Sequence, residues 1–124
     1  MRNQSFRLQK ANRLHDDHSF STIFKKGKRF YLQAGMYICL AHSLNISRIG
    51  LIIAKKKIRS AAKRNYLKRI QRECFRHEQF SIPGYDIIFV ANPKIGQQCQ
   101  KKWFDFCQSD WRSLSKRLPA CLSS

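Results

Sequence analysis

Phe20, Ile23 and Phe24 stand at the i, i+3 and i+4 spacing of one helix face, with Asp16 and Asp17 ahead as acidic caps and Lys25, Lys26 and Gly27 behind as a basic end and a stop. The pattern predicts a short helix. Before it, Arg2 to His15 is polar and basic with isolated Phe6 and Leu14, the composition of an extended or mobile lead-in. Phe30 to Leu32 and Met36 to Leu40 are rich in aromatic and apolar residues, with Gly35 between them and turn chemistry over His42 to Ser47, and so predict two antiparallel strands. Arg48 to Ala54 predicts a third strand that runs directly into Lys55, Lys56 and Lys57. From Ser60 to about His77 there is neither Gly nor Pro, and a helix of four to five turns is expected. At roughly 100° per residue, Tyr66, Leu67, Ile70 and Cys74 share one arc and Arg64, Asn65, Lys68, Arg69, Arg72 and Arg76 the opposite one. Phe75 projects among the cations, and spacing alone gives no account of it. Past Pro83 and Gly84, Asp86 to Ala91 is a near-continuous apolar run, as in a central strand buried on both faces and open to parallel pairing. Gln97 to about Leu118 carries Trp103, Phe104, Cys107, Trp111, Leu114 and Leu118 at mostly three- and four-residue spacing and predicts a second long helix ending at Pro119. The expectation is an α+β single domain over residues 1–124, in the order α-β-β-β-α-β-α, with 1–12 and 119–124 as loose ends.

Charge changes the picture most. The 124 residues include 25 Lys and Arg against 7 Asp and Glu, a net charge of +18 and a pI near 10.4. A surface so basic repels itself unless a polyanion neutralises it, which points to nucleic acid. No apolar run approaches the roughly 18 residues that span a bilayer, and the N-terminus lacks a signal-peptide core, so a cytoplasmic protein is expected. Five cysteines without a CxxC pair suggest reduced thiols, with Cys39 and Cys74 as small core residues. Lys55 to Arg76 holds ten cations and one anion, Glu73. Adjacent like charges on a helix repel, so this segment implies an external anion. Arginine offers bidentate donors to phosphate, and Asn65 offers a donor and an acceptor to a base edge or a 2′-hydroxyl, which suits folded RNA. His15-Asp16-Asp17-His18 invites a metal or acid–base reading, but adjacent residues seldom converge on one ion and a cap-and-turn explains the acids. No nucleophile–base order, phosphate loop or separated carboxylate set is evident, so neither a protein-borne active site nor a metal site is expected. Two other classes remain open: a structural ribosomal or RNA-assembly protein using the same basic helix, and a self-contained nuclease around His15 to His18.

Arg48-Ile49-Gly50-Leu51, Ala54-Lys55-Lys56 and the run from Arg64 to Arg76 resemble the bacterial ribonuclease P protein subunit. Its RNxxKRxxRExFR signature is met at every fixed position, by Arg64, Asn65, Lys68, Arg69, Arg72, Glu73, Phe75 and Arg76. Arg13-Leu14, Phe20, Phe24, Gly27, Asp86-Ile87-Ile88 and Ala91 extend the resemblance over about Arg13 to Leu118. The resemblance implies the same element order, a sheet of about four strands packed by helices, and a left-handed crossover, against the strong right-handed prior. It implies a subunit of ribonuclease P that joins a large catalytic RNA, which performs the Mg2+-dependent hydrolysis releasing the 5′ leader of precursor tRNA. Lys55, Lys56, Arg59, Arg64, Asn65, Lys68, Arg69, Arg72 and Arg76 would bind the catalytic RNA, and Arg13, Phe20 and Phe24 the leader. Magnesium would be held mainly by RNA phosphates and water, with no small-molecule cofactor and no membrane partner. Phe20 and Phe24 also fit a core stripe, and both readings stay open. The facing of Tyr37 is undetermined without the strand register.

Overall fold

The computed structural model describes residues 14, 17–42, 46–79, 82 and 84–118. The elements are α1 (Asp17–Lys26), β1 (Lys28–Tyr31), β2 (Gly35–Ala41), β3 (Arg48–Ile52), α2 (Ala61–Glu78), β4 (Tyr85–Ala91), α3 (Pro93–Gln97) and α4 (Trp103–Arg117), with a 3-10 turn over Gln100–Lys102. The strands lie in the order β1-β2-β4-β3. β1 and β2 pair antiparallel, as do β2 and β4, while β3 and β4 pair parallel and α2 carries the chain between them. The apolar run at β4 takes a central position, and every residue of it except Val90 is buried. Entry to β4 turns on Gly84, whose φ of 81° favours a residue without a Cβ. Among the described residues no helix is long and apolar enough to cross a membrane.

Strand alternation divides the interior in two. Tyr37, Cys39, Ile87 and Phe89 belong to the larger core under α2 and α4, whereas Ile38 and Ile88 form a smaller core with Leu14 and Ile23 under α1. The register pairs Tyr37 with Phe89 and Ile38 with Ile88, so Tyr37 faces away from α1. Its ring meets Phe89 and Trp111 at centroid distances of 5.1 and 5.5 Å.

Phe75, unexplained by spacing, is fully buried, with its ring edge-on to Trp111 at 5.5 Å. Both the sheet and α4 pack on α2, so the buried arc spans Leu67, Ile70, Gln71, Cys74 and Phe75. Tyr66 lies at its margin and is 40% exposed, contrary to its expected place in the packed arc. The long helix expected from Gln97 starts only at Trp103. The Asn92 side chain accepts from Lys94 N and Pro93 occupies the first turn, so α3 begins there, and the extended backbone at Gln98 and Cys99 separates it from the following 3-10 turn. The third strand ends at Ile52, two residues earlier than expected.

Candidate nucleic-acid interface

Ser60 caps α2 by accepting from Lys63 N. Arg64, one turn in, donates to the Ile58 and Arg59 carbonyls at 2.9 and 2.8 Å and so clamps the loop that joins β3 to the helix. Lys57 also turns inward, donating from Nζ to the Ala91 carbonyl at 2.9 Å. Lys55, Lys56 and Arg59 stay exposed on the loop, and Asn65 and Arg69 on the helix. Arg76 pairs with Glu73, which also contacts His77 Nε2 at 3.1 Å. Partial burial works against the Glu73 charge, but the hydrogen bonds and charges of Arg76 and His77 outweigh it and hold the carboxyl below its usual range. The nine cation-face residues therefore divide: Arg64 and Arg76 serve the protein's own loop and acid, and the others present polar groups along the helix and its approach.

An open cleft of about 240 Å³ separates α1 from this helix, lined by Leu14, Phe20, Ile49, Gly50, Leu51, Lys68 and Arg72. Leu14 N donates to the Ile49 carbonyl at 2.9 Å and fastens the approach to α1 along the edge strand β3. A Cβ on Gly50 would lie 2.6 Å from Phe20 Cζ, so the glycine lets the ring settle on the strand and a larger residue there would push the ring away. Lys68 and Arg72, one turn apart on α2, supply the opposite wall. Among the described residues, no carboxylate lines the cleft. Phe24 is half-buried against the small core and does not line it. The Phe24 carbonyl accepts from Arg29 Nη2 at 2.9 Å, which anchors the C-terminal end of α1 to β1. Arg13 lies outside the described residues.

Two of the resembling segments are joined structurally. Arg48 Nε and Nη2 donate to Asp86 Oδ1 and Oδ2 at 2.7 Å each, and His42 Nε2 lies 3.1 Å from Asp86 Oδ1. This bidentate pair bridges the starts of the parallel strands. The side chains of His15 to His18 lie outside the described residues. Among the described residues no group of three or more His, Cys, Asp or Glu is placed to hold a metal ion. Burial pushes the Cys39 and Cys74 thiols up to about 12 and that of Cys107 higher still, so these behave as inert core groups.

Sequence reasoning identified the aromatic of the cleft and its cations without bringing them together. The role of Gly50 was signalled only by a glycine inside a strand pattern. Residues 8–118 match the family model described as Ribonuclease P. The ribonuclease P protein component of Legionella pneumophila (strain Lens) is 33% identical over 93 residues, which span 75% of this chain and 80% of that protein. The RNase P protein from Thermotoga maritima, solved in complex with 1-(4-fluorophenyl)-2-thiourea, superposes with a TM-score of 0.76 at 29% identity, over 85% of this chain and 98% of that one. The Staphylococcus aureus RNase P protein shares the fold, with a TM-score of 0.74 at 24% identity over 86% and 97% of the two chains. With the family match running from ahead of α1 to the end of α4, the chain belongs to the ribonuclease P protein family.

Proposed function

We propose that this chain is the subunit that works with a catalytic RNA to remove the 5′ leader of precursor tRNA, docking on the RNA through one surface and holding the leader in another. The observation that carries this reading is the cleft between Phe20 and the Lys68 and Arg72 wall, beside a basic helix face. A flat ring stacks on any base and the cations meet the flanking phosphates, which suits leaders of varied sequence. Asn65 and Arg69, with Lys55, Lys56 and Arg59 of the loop, dock on phosphates and 2′-hydroxyls of the catalytic RNA. Hydrolysis belongs to the RNA. The polar side chains that line the cleft among the described residues are two cations, Lys68 and Arg72, which suit phosphate rather than a divalent metal, so Mg2+ is held mainly by RNA phosphates and water.

Replacing Phe20 with Leu keeps the apolar volume and removes the flat face. Stability should change by less than about 1.5 kcal/mol. Binding of precursor tRNA by the assembled complex should weaken by roughly 1 kcal/mol or more, with mature tRNA bound as before. Equal losses for both tRNAs would refute the leader cleft. Arg69→Ala should weaken assembly with the catalytic RNA and lower the log–log salt slope by about 0.7–0.9, and an unchanged slope would remove Arg69 from the docking face.

The double replacement His15→Ala and His18→Ala should leave cleavage by the assembled complex within a few-fold of the parent. A general base contributes about 10²–10⁴-fold, so a drop of that size with RNA binding intact would move the chemistry into the protein.

A further inference from the structure

Tyr66 is 40% exposed, yet its ring stacks on Trp103 at a centroid distance of 6.0 Å and an interplanar angle of 29°. Trp103 itself is buried and opens α4 immediately after the turn Gln100–Lys102. The ring of Tyr66 thus bridges the seam between α2 and that turn, whose Lys101 and Lys102 are exposed. Lys63, also exposed, lies one helical turn before Tyr66. Among the described residues, Lys63, Lys101 and Lys102 form no ion pair, not even Lys101 with the exposed Asp105 four residues on. A tyrosine serving only to cover Trp103 needs apolar area alone, and leaves the three unpaired lysines around it unexplained.

We propose that this seam is a second RNA contact of the chain: an unpaired nucleotide of the catalytic RNA stacks its base on Tyr66 while Lys63, Lys101 and Lys102 take the adjoining phosphates. Every base has a π-face, so an exposed ring bordered by lysines fits an unpaired nucleotide of any identity. The source of that nucleotide follows from the geometry of α2. At 100° per residue the exposed arc has Lys68 and Arg72 on one flank, Asn65 and Arg69 along its middle, and Tyr66 on the other flank. The seam therefore continues the face assigned to the catalytic RNA and lies across the helix from the Phe20 cleft assigned to the leader. The proposal rests on that assignment of the two faces.

The test measures binding of the full chain to the catalytic RNA, together with the precursor and mature tRNA affinities of the assembled complex. Tyr66→Leu still covers Trp103 but offers no flat face, and should bind the catalytic RNA at least about fivefold more weakly, whereas Tyr66→Phe should bind as the parent does. Lys101→Ala combined with Lys102→Ala, at exposed positions where folding is not at stake, should lower the salt slope by about 1.4–1.8. Preference for precursor over mature tRNA should not change in any of these variants. Parental catalytic-RNA binding by Tyr66→Leu, or an unchanged slope in the double lysine variant, overturns the proposal, as does a selective loss of precursor binding. If Tyr66→Leu has a lowered melting temperature, the lysine variant alone decides. Arg69→Ala separates the two levels: if it too binds normally, the docking face itself is wrong, and if it binds weakly while the seam variants do not, only the seam fails.

Discussion

Replacing Asp110 with Ala should lower the stability of the fold by roughly 3 kcal/mol or more, a fall in melting temperature on the order of 10 °C. Asp110 is 2% exposed, and its carboxylate accepts from Gln33 N at 3.0 Å, Ala34 N at 2.8 Å and Tyr37 Oη at 2.9 Å. Tyr37 Oη accepts in turn from Gln71 Nε2 at 2.9 Å, whose Oε1 accepts from Trp111 Nε1 at 2.6 Å. The chain of donors ties α4 and α2 to β2 and to the turn that precedes it. Alanine leaves two buried donors, Ala34 N and Tyr37 Oη, and the part-buried Gln33 N without an acceptor, and the buried pair is costly in a medium that cannot solvate it. Burial raises the Asp110 carboxyl above its usual range even though these three donors pull it down. The folded state then holds the proton more tightly than the unfolded chain, so the contribution of Asp110 is fully present below about pH 3.9 and declines as pH rises through its folded range. The stability gap between parent and Asp110→Asn should narrow over the same interval. Thermal unfolding of parent and variants at several pH values checks both statements, and a loss under about 1 kcal/mol for Asp110→Ala would show that water replaces the carboxylate.

Lys68→Ala combined with Arg72→Ala should cost the assembled complex about tenfold in affinity for precursor tRNA near 0.15 M salt. Each single-strand phosphate contact carries a slope of about 0.7, so that two contacts amount to about 1.6 kcal/mol at that salt concentration. The salt slope for precursor binding should fall by about 1.4, while mature tRNA binding stays near parental. This pattern differs from that of Arg69→Ala, which acts on assembly and hence on every substrate. Lys68 and Arg72 share a signature with Arg69, but the structure turns them toward the cleft wall that faces Phe20. If the double variant instead fails to assemble with the catalytic RNA, both residues belong to the docking face and the leader is held by other groups.

The strands, α2 and the cationic arc were legible because each shows as a period in the chain: alternation, a continuous apolar run, or a stripe. What a period cannot carry is the number of partners an element has. Phe75 projects among the cations, and its burial, like that of Gln71, follows only once α4 is known to pack beside the sheet on α2. Gln71 and Asp110 are buried only because they answer each other through Tyr37, a network whose members lie 34 to 73 residues apart. The start of α3 did have a local sign, an asparagine cap before a first-turn proline, which also reads as the end of a strand. In the site, the spacing of Phe20 and Phe24 marks a stripe but not which end of it meets β3, and that end separates cleft from small core. Arg64 is a further case: a guanidinium in a cationic run gives no sign that carbonyls of the preceding loop hold it.

The parallel pairing of β3 with β4 also bears on the order in which the chain can assemble. Tyr31 and Met36 pair across a short turn, whereas Arg48 waits for Asp86, 38 residues later. Closing that longer interval costs entropy before any contact across it is gained, so the hairpin leads and β3 joins after α2 and β4 exist. β3 is also an edge strand with one neighbour. Its outer edge is held by the bond from Leu14 N to the Ile49 carbonyl, so the strand is braced from the chain ahead of α1 as well as from β4. The cleft, with Gly50 in its floor, is thus built late and on a border of the sheet, so its width can vary with its occupant while β2 and β4 keep their register.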